Sequence, residues 1–101
     1  MAQQISASVG NGGVNRKSDS EIVQRLLNNV PPHQGGPNPK LVVDGLPFQK
    51  TQAAIREFQR VQCGFKWPDG RVDPGQKTLQ RLNEFEPMPT ERVGLGPVFC
   101  F

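Results

Sequence analysis

The chain has 101 residues, enough for one small domain and too few for two. Its formal net charge of +3 is mild and its basic residues are scattered, with no run longer than Arg16-Lys17. Nucleic-acid binders concentrate cations on one face or arm, so no nucleic-acid partner is expected; no apolar run approaches the ~20 residues of a membrane helix, so no membrane insertion is expected either.

The opening residues, MAQQISASVG, have neither a basic segment nor an apolar one, so no classical signal peptide is expected. The product is expected to be cytoplasmic as made, or to reach the periplasm or cell envelope by a non-Sec route. Residues 1–17 are polar and glycine-rich and read as a flexible or extended segment. Within it Ile5, Ala7 and Val9 alternate with polar residues, an edge-strand pattern. Asn11-Gly12-Gly13 is a turn or hinge.

The first helix is predicted to start at Ser18 as N-cap, with Glu21 as its capping-box partner. Ile22, Val23, Leu26, Leu27 and Val30 share one helix face, and Pro31-Pro32 ends the run. Residues 31–40, with four Pro and two Gly, form a loop. Leu41-Val42-Val43 leads into an Asp44-Gly45 turn, and Phe48 is expected to be a buried anchor. The second helix is predicted from Gln49 or Thr51 to Cys63, with Ala54, Ile55, Phe58 and Val61 inward and Gly64 in the left-handed position beyond its end. Pro68-Asp69-Gly70 makes the next turn. The third helix is predicted to have Asp73 as N-cap, Pro74 at its first position, Gln76 at the capping-box position and Leu79, Leu82 and Phe85 inward, and to stop at Pro87. The tail ends in Val98-Phe99-Cys100-Phe101, either a strand partner for residues 3–9 or a docking tail. The fold class expected is all-α: a compact three-helix bundle over 18–86, with irregular extensions at 1–17 and 87–101 that have room for short strands.

Little here suggests catalysis. Cys63 and Cys100 form no CxxC pair, and the lone His33 cannot complete the usual zinc set, so no metal or cofactor is expected. No serine lies in a nucleophile elbow, and the aspartates have turn and capping duties. The chain is therefore not expected to be an enzyme.

A weak internal repeat is present. Val43-Asp44-Gly45-Leu46, then Lys50-Thr51, then Ile55 is echoed by Asp69-Gly70-Arg71-Val72, then Lys77-Thr78, then Leu82. In its plainest sense the repeat is two similar helix entrances, since Asp bonds amides ahead of it and Gly takes a positive φ. The order of residues also resembles the peptidoglycan-binding-like domain, a small three-helix module found beside cell-wall hydrolases. Its V-D-G-x-x-G-x-x-T-x-x-A-V-x-x-F-Q pattern is similar to Val43-Asp44-Gly45 through Thr51, Ala54-Ile55 and Phe58-Gln59. A first-helix signature is similar to Val23-Gln24-Arg25-Leu26-Leu27-Asn28. The later D-G-x-V…T…L pattern is similar to Asp69-Gly70-Arg71-Val72, Thr78 and Leu82. The match spans about residues 20–85. Three departures fall near the loops where the family's ligand groove lies: Phe48 in place of a Gly, the long 31–40 loop, and the extra residues Val72–Gln76.

The resemblance implies a ligand of peptidoglycan or its stem peptides. Such a binder needs an aromatic face for sugars and cations for carboxylates. Phe65, Trp67, Arg56, Arg60 and Gln59 are the candidates, Arg56 and Arg60 sharing a helix face. Four of these also have a plainer role: Trp67 as a core lid, the two arginines as a solvated face, and Gln59 within the Phe58-Gln59 pair that is largely structural in the family. Asp44, Gly45, Thr51, Phe58, Asp69, Gly70, Asp73 and Thr78 form the structural motif. The function expected is a non-catalytic peptidoglycan-binding module of a bacterial cell-envelope system. The alternative is an adaptor or cargo component of a phage-tail-like or type VI secretion machine, with a wall hydrolase, effector or spike protein as partner. A third, weaker option is an inhibitor of a wall-degrading enzyme.

Overall fold

Two amphipathic helices organise the chain, in a computed structural model that describes residues 3–85. Helix α1 spans Lys17–Asn28 and α2 spans Gln49–Gln62, each with one apolar stripe that must leave water. The stripes meet: Val23 and Leu27 of α1 and Ile55 and Phe58 of α2 are fully buried, joined by Leu82 of the short helix α3, Lys77–Leu82. Phe85, just beyond α3, packs edge-on to Phe58 with ring centroids 5.9 Å apart. Burial of each such large apolar side chain stabilises the fold by ~1.5–3 kcal/mol. The result is a small, mostly helical fold that has, among the described residues, three helices, one 3₁₀ turn at Pro32–Gln34 and one short strand pair. No helix among the described residues is long and apolar enough to cross a membrane.

The strand pair joins β1, Val9–Gly10, to β2, Arg71–Val72, antiparallel with Val9 opposite Val72. Of the edge-strand pattern at Ile5–Val9 only Val9 lies in a strand, the chain bending at Ser6 and Ala7, and its partner is in the middle of the chain. The alternative partner at Val98–Phe101, and the tail 87–101 as a whole with Cys100, lie outside the described residues. Residues 3–16 are part of the fold, since Ile5 and Val9 are buried in the same core as the helices. What fixes this segment is Asp19. Its carboxylate accepts hydrogen bonds from the Ser6 amide at 3.0 Å, the Ser6 hydroxyl at 2.8 Å and the Ala7 amide at 3.1 Å.

Four local expectations are corrected. Helix α1 begins one residue before Ser18: Arg16 occupies the N-cap and makes no side-chain cap bond. Asp73 does not cap α3. It opens a turn instead, with the Gln76 amide donating to the Asp73 carbonyl at 3.3 Å and Gly75 at φ +69°. Pro then Gly at the two central positions is the signature of a type II turn, which displaces the helix start to Lys77. Phe48 is 62% exposed because Pro47 takes the buried position beside it, and neighbouring side chains on extended backbone point opposite ways. Val61, expected inward, is 39% exposed near the end of α2.

Burial tends to raise the pKa of Asp19, but the hydrogen bonds from Ser6 and Ala7 together with the charge of Arg16 outweigh it, so the carboxyl sits below its ordinary value of 3.8. A depressed carboxyl contributes stability that is complete above that ordinary value and is lost as pH falls through the folded one. Asp19→Ala is predicted to cost about 2 kcal/mol near neutral pH in urea unfolding, with the gap to wild type narrowing below about pH 4.

Candidate functional site

Two buried glutamines define the geometry of the loops. Gln24 of α1 is 1% exposed. Its Nε2 donates to Asp44 Oδ1 at 3.0 Å, to the Thr51 hydroxyl at 3.1 Å and more weakly to the Leu46 carbonyl at 3.4 Å. Its Oε1 accepts the amides of Asp44 at 3.1 Å and Gly45 at 2.9 Å. Gln59 of α2 repeats the arrangement. Its Nε2 donates to Asp69 Oδ1 at 2.8 Å, the Arg71 carbonyl at 3.0 Å and the Thr78 hydroxyl at 3.2 Å, and its Oε1 accepts the Gly70 amide at 3.0 Å. In each half the aspartate also closes its own turn, Asp44 Oδ1 accepting the Leu46 amide at 2.9 Å and Asp69 Oδ1 the Arg71 amide at 3.0 Å. The internal repeat in the sequence is thus a repeated clasp: one glutamine ties an Asp-Gly turn to the threonine in the first turn of the next helix. Gly45 at φ +75° and Gly70 at φ +71° supply backbone that L side chains rarely adopt. The amide of Leu46 and then Gln24 hold the Asp44 carboxyl below its usual range, so this clasp is built around the ionised form.

This corrects one candidate ligand residue. Gln59 does not stand beside Arg56 and Arg60 in solvent; it is fully buried and its amide is committed to internal partners. The single signal for this was in the sequence: Val23-Gln24 and Phe58-Gln59 precede the two copies of the repeat in the same way.

The other candidates are at the surface around the second clasp. Trp67 is 81% exposed, so it does not lid the core, and Lys66 Nζ lies 5.9 Å from its ring centroid. Phe65 takes the core contact instead, half-buried, with Lys77 Nζ 5.7 Å from its ring centroid. The exposed Arg56 lies across Gly70, where an added Cβ would meet its Nε at 3.0 Å. Arg60 is turned to Glu57, its Nη2 2.7 Å and Nε 3.1 Å from the two carboxylate oxygens, and those bonds hold the Glu57 carboxyl low. Asp73 receives Arg71 Nε at 3.0 Å. Cys63 is buried, and burial pushes its thiol up, away from the reactive thiolate.

Beside the first clasp is an open groove of about 880 Å³, between the 36–42 segment and the first two turns of α2. Neither its volume nor its apolar rim of Val42, Leu46 and Phe48 was apparent from the sequence. No family model, curated protein or solved structure matches the chain.

Gln59→Ala strands the buried Gly70 amide and opens a void, and is predicted to cost about 3 kcal/mol in chemical unfolding. Trp67→Ala is predicted to change stability by less than about 0.5 kcal/mol, since its ring is mostly in water.

Proposed function

We propose that this chain is a non-catalytic binding module for peptidoglycan, built as a three-helix bundle of the peptidoglycan-binding-like kind. The observation that carries this is the doubled clasp. Gln24, Asp44-Gly45 and Thr51, then Gln59, Asp69-Gly70 and Thr78, stand at the positions where the sequence resembles that family, and they tie each loop to a helix. The binding surface proposed is the 65–71 loop with the adjoining face of α2. Trp67 offers an exposed aromatic face on which a sugar ring can stack, and Lys66 supplies a cation beside it for a muramic or stem-peptide carboxylate. Arg56 adds a second cation next to the Gly70 turn. Arg60 contributes less, because Glu57 already holds it. The clasp keeps this loop in one arrangement before a ligand arrives, which lowers the entropic cost of binding.

The alternative, an adaptor or cargo component of a phage-tail-like or type VI secretion machine, is favoured by a different feature. Val42, Leu46 and Phe48 are large, apolar and exposed along one groove, as at surfaces that meet other proteins.

Co-sedimentation with purified sacculi tests the first reading. The protein is expected in the pellet at low and moderate salt, and Trp67→Ala is expected to weaken retention about tenfold, the equivalent of ~1.4 kcal/mol. Protein that stays in the supernatant under both conditions contradicts it.

A further inference from the structure

We propose that the groove beside the first clasp is a docking site for an extended, acidic segment of a partner protein, with apolar side chains at alternate positions. The two halves of the chain share a plan but are not covered alike. In the second half, the residues after the Asp-Gly turn, Arg71–Val72, pair with Val9–Gly10, and the Asn11 amide donates to the Gly70 carbonyl at 2.9 Å. The covering element is thus an N-terminal strap, strand only at Val9–Gly10, in which Ile5 and Val9 are buried. In the first half, the equivalent residues are Leu46 and Pro47, and no strand among the described residues covers them. Pro47 is fully buried like its counterpart Val72, but the side chains around it are left in water: Val42 is 75% exposed, Phe48 62% and Leu46 53%. These three side chains line the groove and are the apolar surface it offers to an occupant.

The geometry and charge select the occupant. Pro47 has no amide hydrogen, so a docked segment gains little from a ladder of backbone bonds. Its affinity comes from side chains inserted between Val42, Leu46 and Phe48, which an extended backbone presents at every second residue. Four charged side chains line the groove: Lys40, Asp44, Lys50 and Glu57. Glu57 is neutralised by its ion pair with Arg60, whereas Asp44, bonded only to neutral Gln24 and the Leu46 amide, keeps its charge. Of the cations, Lys40 donates one bond to the Asn28 carbonyl at 2.9 Å and Lys50 has no ion pair among the described residues. Lys40 and Lys50 thus face a single uncompensated carboxylate, Asp44, and the remaining excess is positive, which complements Asp or Glu in the segment. This site is on the first half of the chain and does not depend on peptidoglycan binding at Trp67.

A displayed library of random short peptides, panned on the intact protein, tests the proposal. Enriched peptides are then synthesised and titrated into ¹⁵N-labelled full-length chain. The expected result is enrichment of sequences with apolar residues at i and i+2 and at least one Asp or Glu, with amide shifts confined to residues 36–57. Phe48→Ser and Val42→Ser should each weaken binding about tenfold while leaving the melting curve unchanged, because both side chains are already exposed. Added salt should weaken binding as well. The proposal is overturned if no peptide is enriched, if the enriched peptides lack acidic residues, or if they bind both variants as well as wild type. It is also overturned if the shifts at 36–57 come from an N-acetylglucosamine–N-acetylmuramic acid disaccharide and not from peptides, since the groove would then be a sugar site. Failure of sacculus binding leaves these outcomes unaffected.

Discussion

A buried primary amide must find partners for two donor hydrogens and an acceptor oxygen, or cost more than it contributes. Gln24 and Gln59 meet that demand with the backbone and side chains of two Asp-Gly turns and two threonines. Much of the remaining structure follows from this. The turns cannot move away from the helices without stranding the amide, so loops that would otherwise be mobile are fixed to the core. The threonines, each 4% exposed, are drawn in at the first turns of α2 and α3. One glutamine sits beside Val23 and the other beside Phe58, so the polar clasp and the apolar core form a continuous interior.

Around this frame the chain uses its remaining segments differently in its two halves. The N-terminal strap, held by Asp19 at one end and by β2 at the other, closes over the second half. Among the described residues the first half has no such cover, and its apolar side chains line a groove. The second half carries the exposed indole of Trp67 beside Lys66, and Arg56 against the Gly70 turn. Two surfaces of different chemistry thus result from one repeated plan: a loop with an exposed aromatic ring beside a lysine, and an open groove with an apolar rim.

The helices were legible because their stripes are regular: Val23, Leu26, Leu27, Ala54, Ile55, Phe58, Leu79 and Leu82 all face inward. Local signals failed where two rules competed for one residue. Asp73-Pro74-Gly75-Gln76 satisfies the rules for a helix start and for a type II turn, and Gly75 decides for the turn. Ser18 and Glu21 fit a capping box, yet the helix already starts at Lys17, and Glu21 pairs with Lys17 at 3.5 Å. Phe48 looked like core by size alone, and Pro47 took that place. The candidate site was less legible still. Gln59 is polar and lies next to arginines in sequence, so its inward orientation shows only when both halves of the repeat are laid side by side. The groove depends on how the 36–48 segment folds back on α2, which no local pattern encodes.

Amide hydrogen exchange at Gly45 and Gly70 tests the clasps most directly. Neither residue is in a helix or strand, and both donate to a buried glutamine oxygen. If the clasps hold the fold together, these two amides exchange only through global unfolding, with protection equal to that of the central amides of α2. Exchange of either amide at the rate of an exposed turn, while α2 stays protected, would contradict the account.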